Sequence, residues 1–236
     1  MKAILLKSSI VFIVCILLSG CMYPQERKVE NQIPYEEQIQ SVQQAVNKFQ
    51  EANGGLLPIK TRDMETPIYI KYPIEFKKIA PQYISGPPGN SFENGGIFQY
   101  VLIDVETNPT VKVVDLRIAE KIREIKSRIK SQGYPPFKET IADNVFMLDY
   151  EKLGYKTDPY IVSPYTNHHL PFIITGNGEV YVDYISDLYL TLQGSEQMFA
   201  PGDDIRSILS DKSAVVPAYS VPYTVDEKNE PVYMAK

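Results

Sequence analysis

Three pairs of carboxylates lie close enough along the chain to share chemistry: Asp143 with Asp149, Asp183 with Asp187, and Asp203 with Asp204. Two acids across a cleft could hydrolyse a glycan, one giving a proton to the leaving group and the other acting as base or nucleophile. Spacing in sequence does not set that separation in space. Asp183 and Asp187 flank the expected end of a strand and equally suit the capping of the next element, and Asp203-Asp204 read as a helix start behind Pro201-Gly202. His168 and His169 are the only histidines. Neighbours on a strand point to opposite faces, so both could hold one metal only from a loop. Their nearest acids in sequence are Asp158 and Asp183, and a zinc site takes three or four such ligands; no metal and no cofactor is expected. The chain has no G-x-S-x-G, H-E-x-x-H or C-x-x-C, and Gly86–Gly96 lacks the Lys-Ser/Thr ending of a phosphate loop. No residue is assigned a catalytic role.

The sulfur at Cys21 is the clearest reactive atom. Lys2 and Lys7 precede an apolar run, Ile10 to Leu18, too short for a membrane-spanning helix of about 20 residues. It fits the h-region of a secretory signal. Leu18-Ser19-Gly20-Cys21 then places small residues before a cysteine. This leader resembles that of bacterial lipoprotein precursors, and in leader, size and Lys/Asn/Tyr-rich composition the chain resembles uncharacterised lipoproteins of Bacillus-like Gram-positive bacteria. The resemblance implies removal of residues 1–20 as a signal peptide and diacylglyceryl transfer to Cys21. It implies a cell-membrane location on the extracytoplasmic face, and brings no catalytic residues. Cys15 lies in the leader, so Cys21 would be the one mature cysteine, and no internal disulfide is expected. Two acyl chains hold a bilayer far better than one, at about 0.8 kcal/mol per buried CH₂.

The net charge is −5, and losing Lys2 and Lys7 with the leader makes it −7. Such a chain gains nothing from releasing counterions on nucleic acid, which is excluded as a partner, and an anionic membrane surface repels it, leaving lipid as the grip. Residues 21–34 are polar and aperiodic, a spacer between lipid and body.

Downstream, the fold class expected is α+β. Ile39, Val42, Val46 and Phe49 make one face of a helix over about Tyr35–Ala52, and Ile118, Ile122, Ile125 and Ile129 one over about Leu116–Gln132. After each comes a similar series. Pro58-Ile59-Lys60 matches Pro136-Phe137-Lys138, and an apolar strand, Ile68–Ile70, matches Val145–Met147. Tyr83-Ile84-Ser85-Gly86-Pro87 aligns with Tyr160-Ile161-Val162-Ser163-Pro164. Hairpins come next over Ile97–Val105 with Thr110–Asp115, and over Leu170–Thr175 with Glu179–Tyr184 around Gly176-Asn177-Gly178. Two tandem α-β-β-β units, residues 35–115 and 116–192, are therefore expected to share or pack a core. Residues 193–236 carry spaced prolines and tyrosines and predict an extended arm over the body or a partly disordered tail.

Gly86–Gly96 reads as a flexible surface loop, and its counterpart Pro164–His169 holds both histidines. Matched loops of different content are a natural place for function, so the candidate binding residues are Tyr83, Pro87, Tyr160, Pro164, His168 and His169. The expected function is that of a non-enzymatic, membrane-anchored binding or scaffold protein of the cell envelope. Its partners would be the membrane, through Cys21, and an envelope protein or wall polymer. A wall-glycan hydrolase using a carboxylate pair and a small-ligand or cation-binding lipoprotein are the alternatives.

Overall fold

The computed structural model describes residues 36–234; the leader, Cys21 and the spacer lie outside them. The fold is mixed α+β. Helix α1 (Glu36–Ala52) buries Val42, Ala45 and Val46, and Glu36 and Glu37 sit in its first turn, where carboxylates complement the helix dipole. Two helical turns come next, α2 (Ile68–Lys71) and α3 (Phe76–Ile79), then an antiparallel hairpin of β1 (Phe98–Ile103) and β2 (Thr110–Asp115). Side chains alternate across this hairpin. Phe98, Tyr100, Leu102, Val111 and Val113 join α1 in one apolar cluster, whereas Val101 and Val114 face a second, smaller one.

Helix α4 (Leu116–Gln132) leaves β2 directly. Asp115 caps it by accepting the Arg117 amide at 3.0 Å, and Gly133, at φ 93°, ends it by donating its amide to the Ile129 carbonyl. Ile118 and Ile125 of α4 pack with a four-stranded antiparallel sheet in a third cluster. Its strands are β3 (Phe137–Ala142), β4 (Val145–Leu148), β7 (Phe172–Thr175) and β8 (Val180–Val182), in the order β3-β4-β7-β8. Between β4 and β7, β5 (Ile161–Val162) pairs with β6 (His169–Leu170). Helix α5 (Ile185–Gln193), α6 (Ser207–Asp211) and a hairpin of β9 (Tyr223–Val225) and β10 (Pro231–Tyr233) come after β8. Among the described residues no helix is long and apolar enough to cross a membrane.

Residues 214–225 join the halves. Val215 enters the cluster of α1, Val216 and Ala218 the middle one, and Val221, Tyr223 and Val225 that of the large sheet. The segment bonds to β2 through Val113 N–H to Ala214 O at 2.9 Å, and to β8 through Val182 N–H to Tyr219 O at 2.8 Å. Of the two forms expected for the C-terminal residues, those up to 234 take the packed arm, because Val, Ala and Tyr between the prolines alternate into existing cores.

Two expectations need correction. Ile68–Ile70 is the helical turn α2, not a strand: Pro67 enters it with φ −54° and accepts the Ile70 amide at 3.0 Å. A three-residue apolar run carries no period that separates strand from helix. With that strand gone, the first half holds one hairpin where the second holds a four-stranded sheet and the β5-β6 pair, and the tandem α-β-β-β equivalence is not reproduced. Gly86–Gly96 is likewise not a free surface loop. Asn90 and Ser91 within it are fully buried, and the Tyr100 hydroxyl donates to Asn90 Oδ1 at 2.8 Å. A Cβ on Gly96 would lie 2.1 Å from the Asn90 backbone, so glycine is needed there for close approach rather than for looseness.

Candidate functional site

The sequence-derived binding residues fall on different cores. Tyr83 packs edge-on against Phe49 at 5.9 Å in the cluster of α1. Pro87 lines a shallow depression with Glu37 and Gln38, and its carbonyl accepts from the Asn94 side chain, Nδ2, at 2.7 Å. Tyr160, Pro164, His168 and His169 lie in the other half, all exposed. Tyr160 and His169 do meet, stacked at 3.7 Å with 16° between their planes. Among the described residues no group of three or more His, Cys, Asp or Glu could hold a metal ion.

The carboxylate pairs resolve into different roles. Asp143 lies in the turn before β4 and Asp149 just past its end, so the strand sets them at its opposite ends rather than across a cleft. Asp183 is a buried pin. It accepts from the Tyr233 hydroxyl at 2.6 Å, the Tyr223 hydroxyl at 2.9 Å and the Ile185 amide at 3.0 Å. Burial pushes its carboxyl above the ordinary value, and those donors pull part of the way back. Asp187, fully buried, accepts from Thr166 Oγ1 at 2.5 Å and Ser163 Oγ at 2.7 Å, which fixes the loop before the histidines. Burial again raises its carboxyl, against the two hydroxyls and the charge of His168. Asp204 is gripped by Arg206, which also donates to Ser220 O and Oγ at 3.2 Å and lies 5.2 Å from the Tyr69 ring centre. Asp203 accepts the Ala200 amide at 3.3 Å.

The most distinctive concavity was not legible in the sequence. A cleft of about 580 Å³ opens between the start of α4, β1 and the arm, lined by Phe92, Gln99, Arg117, Glu120, Arg123 and Tyr219, among others. Phe92 is 61% exposed at its edge. Tyr219 takes φ 58°, a left-handed conformation that costs a bulky residue about 1–2 kcal/mol. The bond from the Val182 amide to its carbonyl holds it there. Strain of this kind concentrates where structure serves function. Burial raises the Tyr219 hydroxyl pKa, opposed by the positive charges of Arg62 and Arg123. Arg62 comes from the first half, anchored on Ile70 O at 2.9 Å. Arg123 has no hydrogen-bond or ion-pair partner among the described residues. A guanidinium without a partner beside two aromatic rings is equipped to take an anion and stack a flat or apolar group.

These residues come from four segments whose only common property is their meeting point, so no local signal marks them. A second cleft, of about 530 Å³, is lined by Glu65, Asp143, Asp204 and Arg206 among others.

A family model described as the YphF family N-terminal domain matches residues 35–115, from the residue before α1 to the end of β2. Neither the curated proteins nor the solved structures contain a match. Residues 35–115 are thus similar to that domain, while Arg117, Arg123 and Tyr219 of the cleft lie beyond the match.

Proposed function

We propose that this protein is a membrane-anchored, extracytoplasmic lipoprotein that works by binding, holding an envelope ligand in the cleft beneath Tyr219. The observation that carries the binding reading is a cleft whose lining brings together the strained Tyr219 and Arg123, unpaired among the described residues. Support also comes from the buried carboxylates: Asp183 and Asp187 are committed to hydroxyl donors. Anchoring rests on the leader sequence ending at Cys21. Crosslinking in cells followed by affinity recovery tests the binding: a wall polymer or envelope protein should be captured by the native chain and lost with Tyr219→Ala plus Arg123→Ala. Equal capture by the variant, or none by either, overturns it. Cys21→Ser should leave an unprocessed or released protein, and a processed, membrane-bound mutant overturns the anchor.

One observation favours a second reading, hydrolysis of wall glycan: Asp143 and Asp204 line the same cleft. In its favour would be digestion of purified wall that Asp143→Asn abolishes; no digestion by the native protein ends it.

A further inference from the structure

The cleft beneath Tyr219 does not stop at Arg123. A shallow trough lined by Ala119, Ile122, Arg123, Lys126, Ser127 and Lys130 shares Ala119 and Arg123 with it, so one groove runs along the outer face of α4. Four basic residues of the helix, Arg117, Arg123, Lys126 and Lys130, line the groove against one acid, Glu120. The chain as a whole carries a net charge of −5. Net charge repels anions at a distance, but at physiological salt the field of exposed groups is felt over only about 8 Å, so a local cationic strip acts by itself.

We infer that this groove is the docking surface for a polyanionic chain, a phosphodiester-linked polyol or sugar polymer of the wall. Arg117 at one end and Lys130 at the other stand thirteen residues apart, about 20 Å along the helix axis. A small anion spans one or two of these cations; a chain with a repeating charge meets them in succession. The strip is a groove rather than a convex tip, which suits a strand and not a lipid surface. Phe92 and Tyr219 flank its upper end, where a sugar or polyol unit between phosphates can lie against a ring. The groove is not uniformly basic. Glu120 lines it, Arg117 is paired with Asp115, and Lys126 bonds Glu179 at 2.8 Å. The last pair is exposed on both sides, so a phosphate can displace the carboxylate at little cost. Arg123 and Lys130 have no ion-pair partner among the described residues and should contribute most.

The choice of a wall polymer rests on the extracytoplasmic location proposed for the protein; the groove itself does not. The test is titration of the full-length protein in detergent with soluble poly(glycerol phosphate), read by calorimetry at low and moderate salt. Binding should weaken roughly tenfold between about 50 and 200 mM salt, as release of a few counterions requires. Arg123→Glu with Lys130→Glu should weaken it tenfold or more at an unchanged melting temperature. Lys60→Glu with Lys77→Glu, with the same change in net charge, should leave it within twofold. No binding at low salt, or equal losses in both double variants, overturns the inference. So does tighter binding to phosphatidylglycerol vesicles or to single-stranded DNA of matched charge, because the site would then not select this polymer. Cell fractionation of Cys21→Ser reads the location separately, so an error there leaves the titration interpretable.

Discussion

The hydroxyl of Tyr233 donates to the carboxylate of Asp183 at 2.6 Å across fifty residues of chain, tying β10 to the start of α5. The Tyr223 hydroxyl joins the same carboxylate while accepting the Tyr184 amide at 3.0 Å. One acid thus terminates a network in which each hydroxyl proton has a single destination. Removing it strands both hydroxyls and the Ile185 amide; removing the Tyr233 hydroxyl strands no donor.

Asp183→Ala should therefore destabilise by about 3–5 kcal/mol, since each buried polar group left unsatisfied costs roughly 1–3 kcal/mol. Tyr233→Phe should cost less, about 1.5–3 kcal/mol for one bond to a charged acceptor. Urea unfolding of the two variants checks the order, and a milder Asp183→Ala would show that water replaces the carboxylate.

Acid should strengthen this part of the fold. Burial holds Asp183 and Asp187 above their unfolded pKa, so the folded state favours their protonated forms. Their contribution is complete below the unfolded value of about 3.9 and is lost as pH rises through the raised folded values. The carboxyls of Glu124, Asp149 and Asp226 are lowered by their partners and oppose this on the acid side; all three are half-buried and reached by water. Thermal melts at stepped pH should show Asp187→Asn losing relative stability as pH falls; parallel profiles would mean that Asp187 does not titrate with folding.

Gly96→Ala should destabilise by about 1–3 kcal/mol through overpacking, because the new methyl meets the Asn90 carbonyl at 2.1 Å. Gly86→Ala is the control: nothing lies within 4 Å of its Cβ. Equal melting temperatures would show that the Asn90 turn moves aside.

Lys112 donates to the carbonyls of Ser210 at 2.7 Å and Ser213 at 2.8 Å, closing the end of α6 onto β2. Burial lowers its pKa, with Asp211 and Asp104 resisting. Lys112→Met keeps the stem and removes the donor, so about 1–3 kcal/mol should be lost. Hydrogen exchange should quicken at Val113 and Val216 first, where the arm meets β2; uniform exchange would deny the local role.

Long periodic elements were readable from sequence and short ones were not. The isoleucine stripe of α4 and its Gly133 stop fixed that helix because seventeen residues repeat the pattern several times. The hairpin around Gly176-Asn177-Gly178 was readable from turn chemistry, although its strands are shorter than expected. Ile68–Ile70 failed because three residues fit either period. The arm was ambiguous because Val215, Val216, Ala218 and Tyr223 are buried by partners far away in sequence, which no local pattern records. The Tyr219 cleft failed for the same reason: Arg62, Gln99, Arg123 and Tyr219 acquire a shared meaning only in three dimensions. Of the candidate binding residues singled out from sequence, Tyr160 and His169 stack on one another, and neither lines that cleft.

Val215 through Val225 supply side chains to all three apolar clusters. A stretch synthesised after both halves is thus the keystone of each. Until it emerges, neither half has a finished interior, and a polypeptide interrupted before it would leave valine-rich surfaces uncovered on either side. A premature stop codon anywhere upstream would yield an exposed, protease-sensitive remnant rather than a smaller working protein.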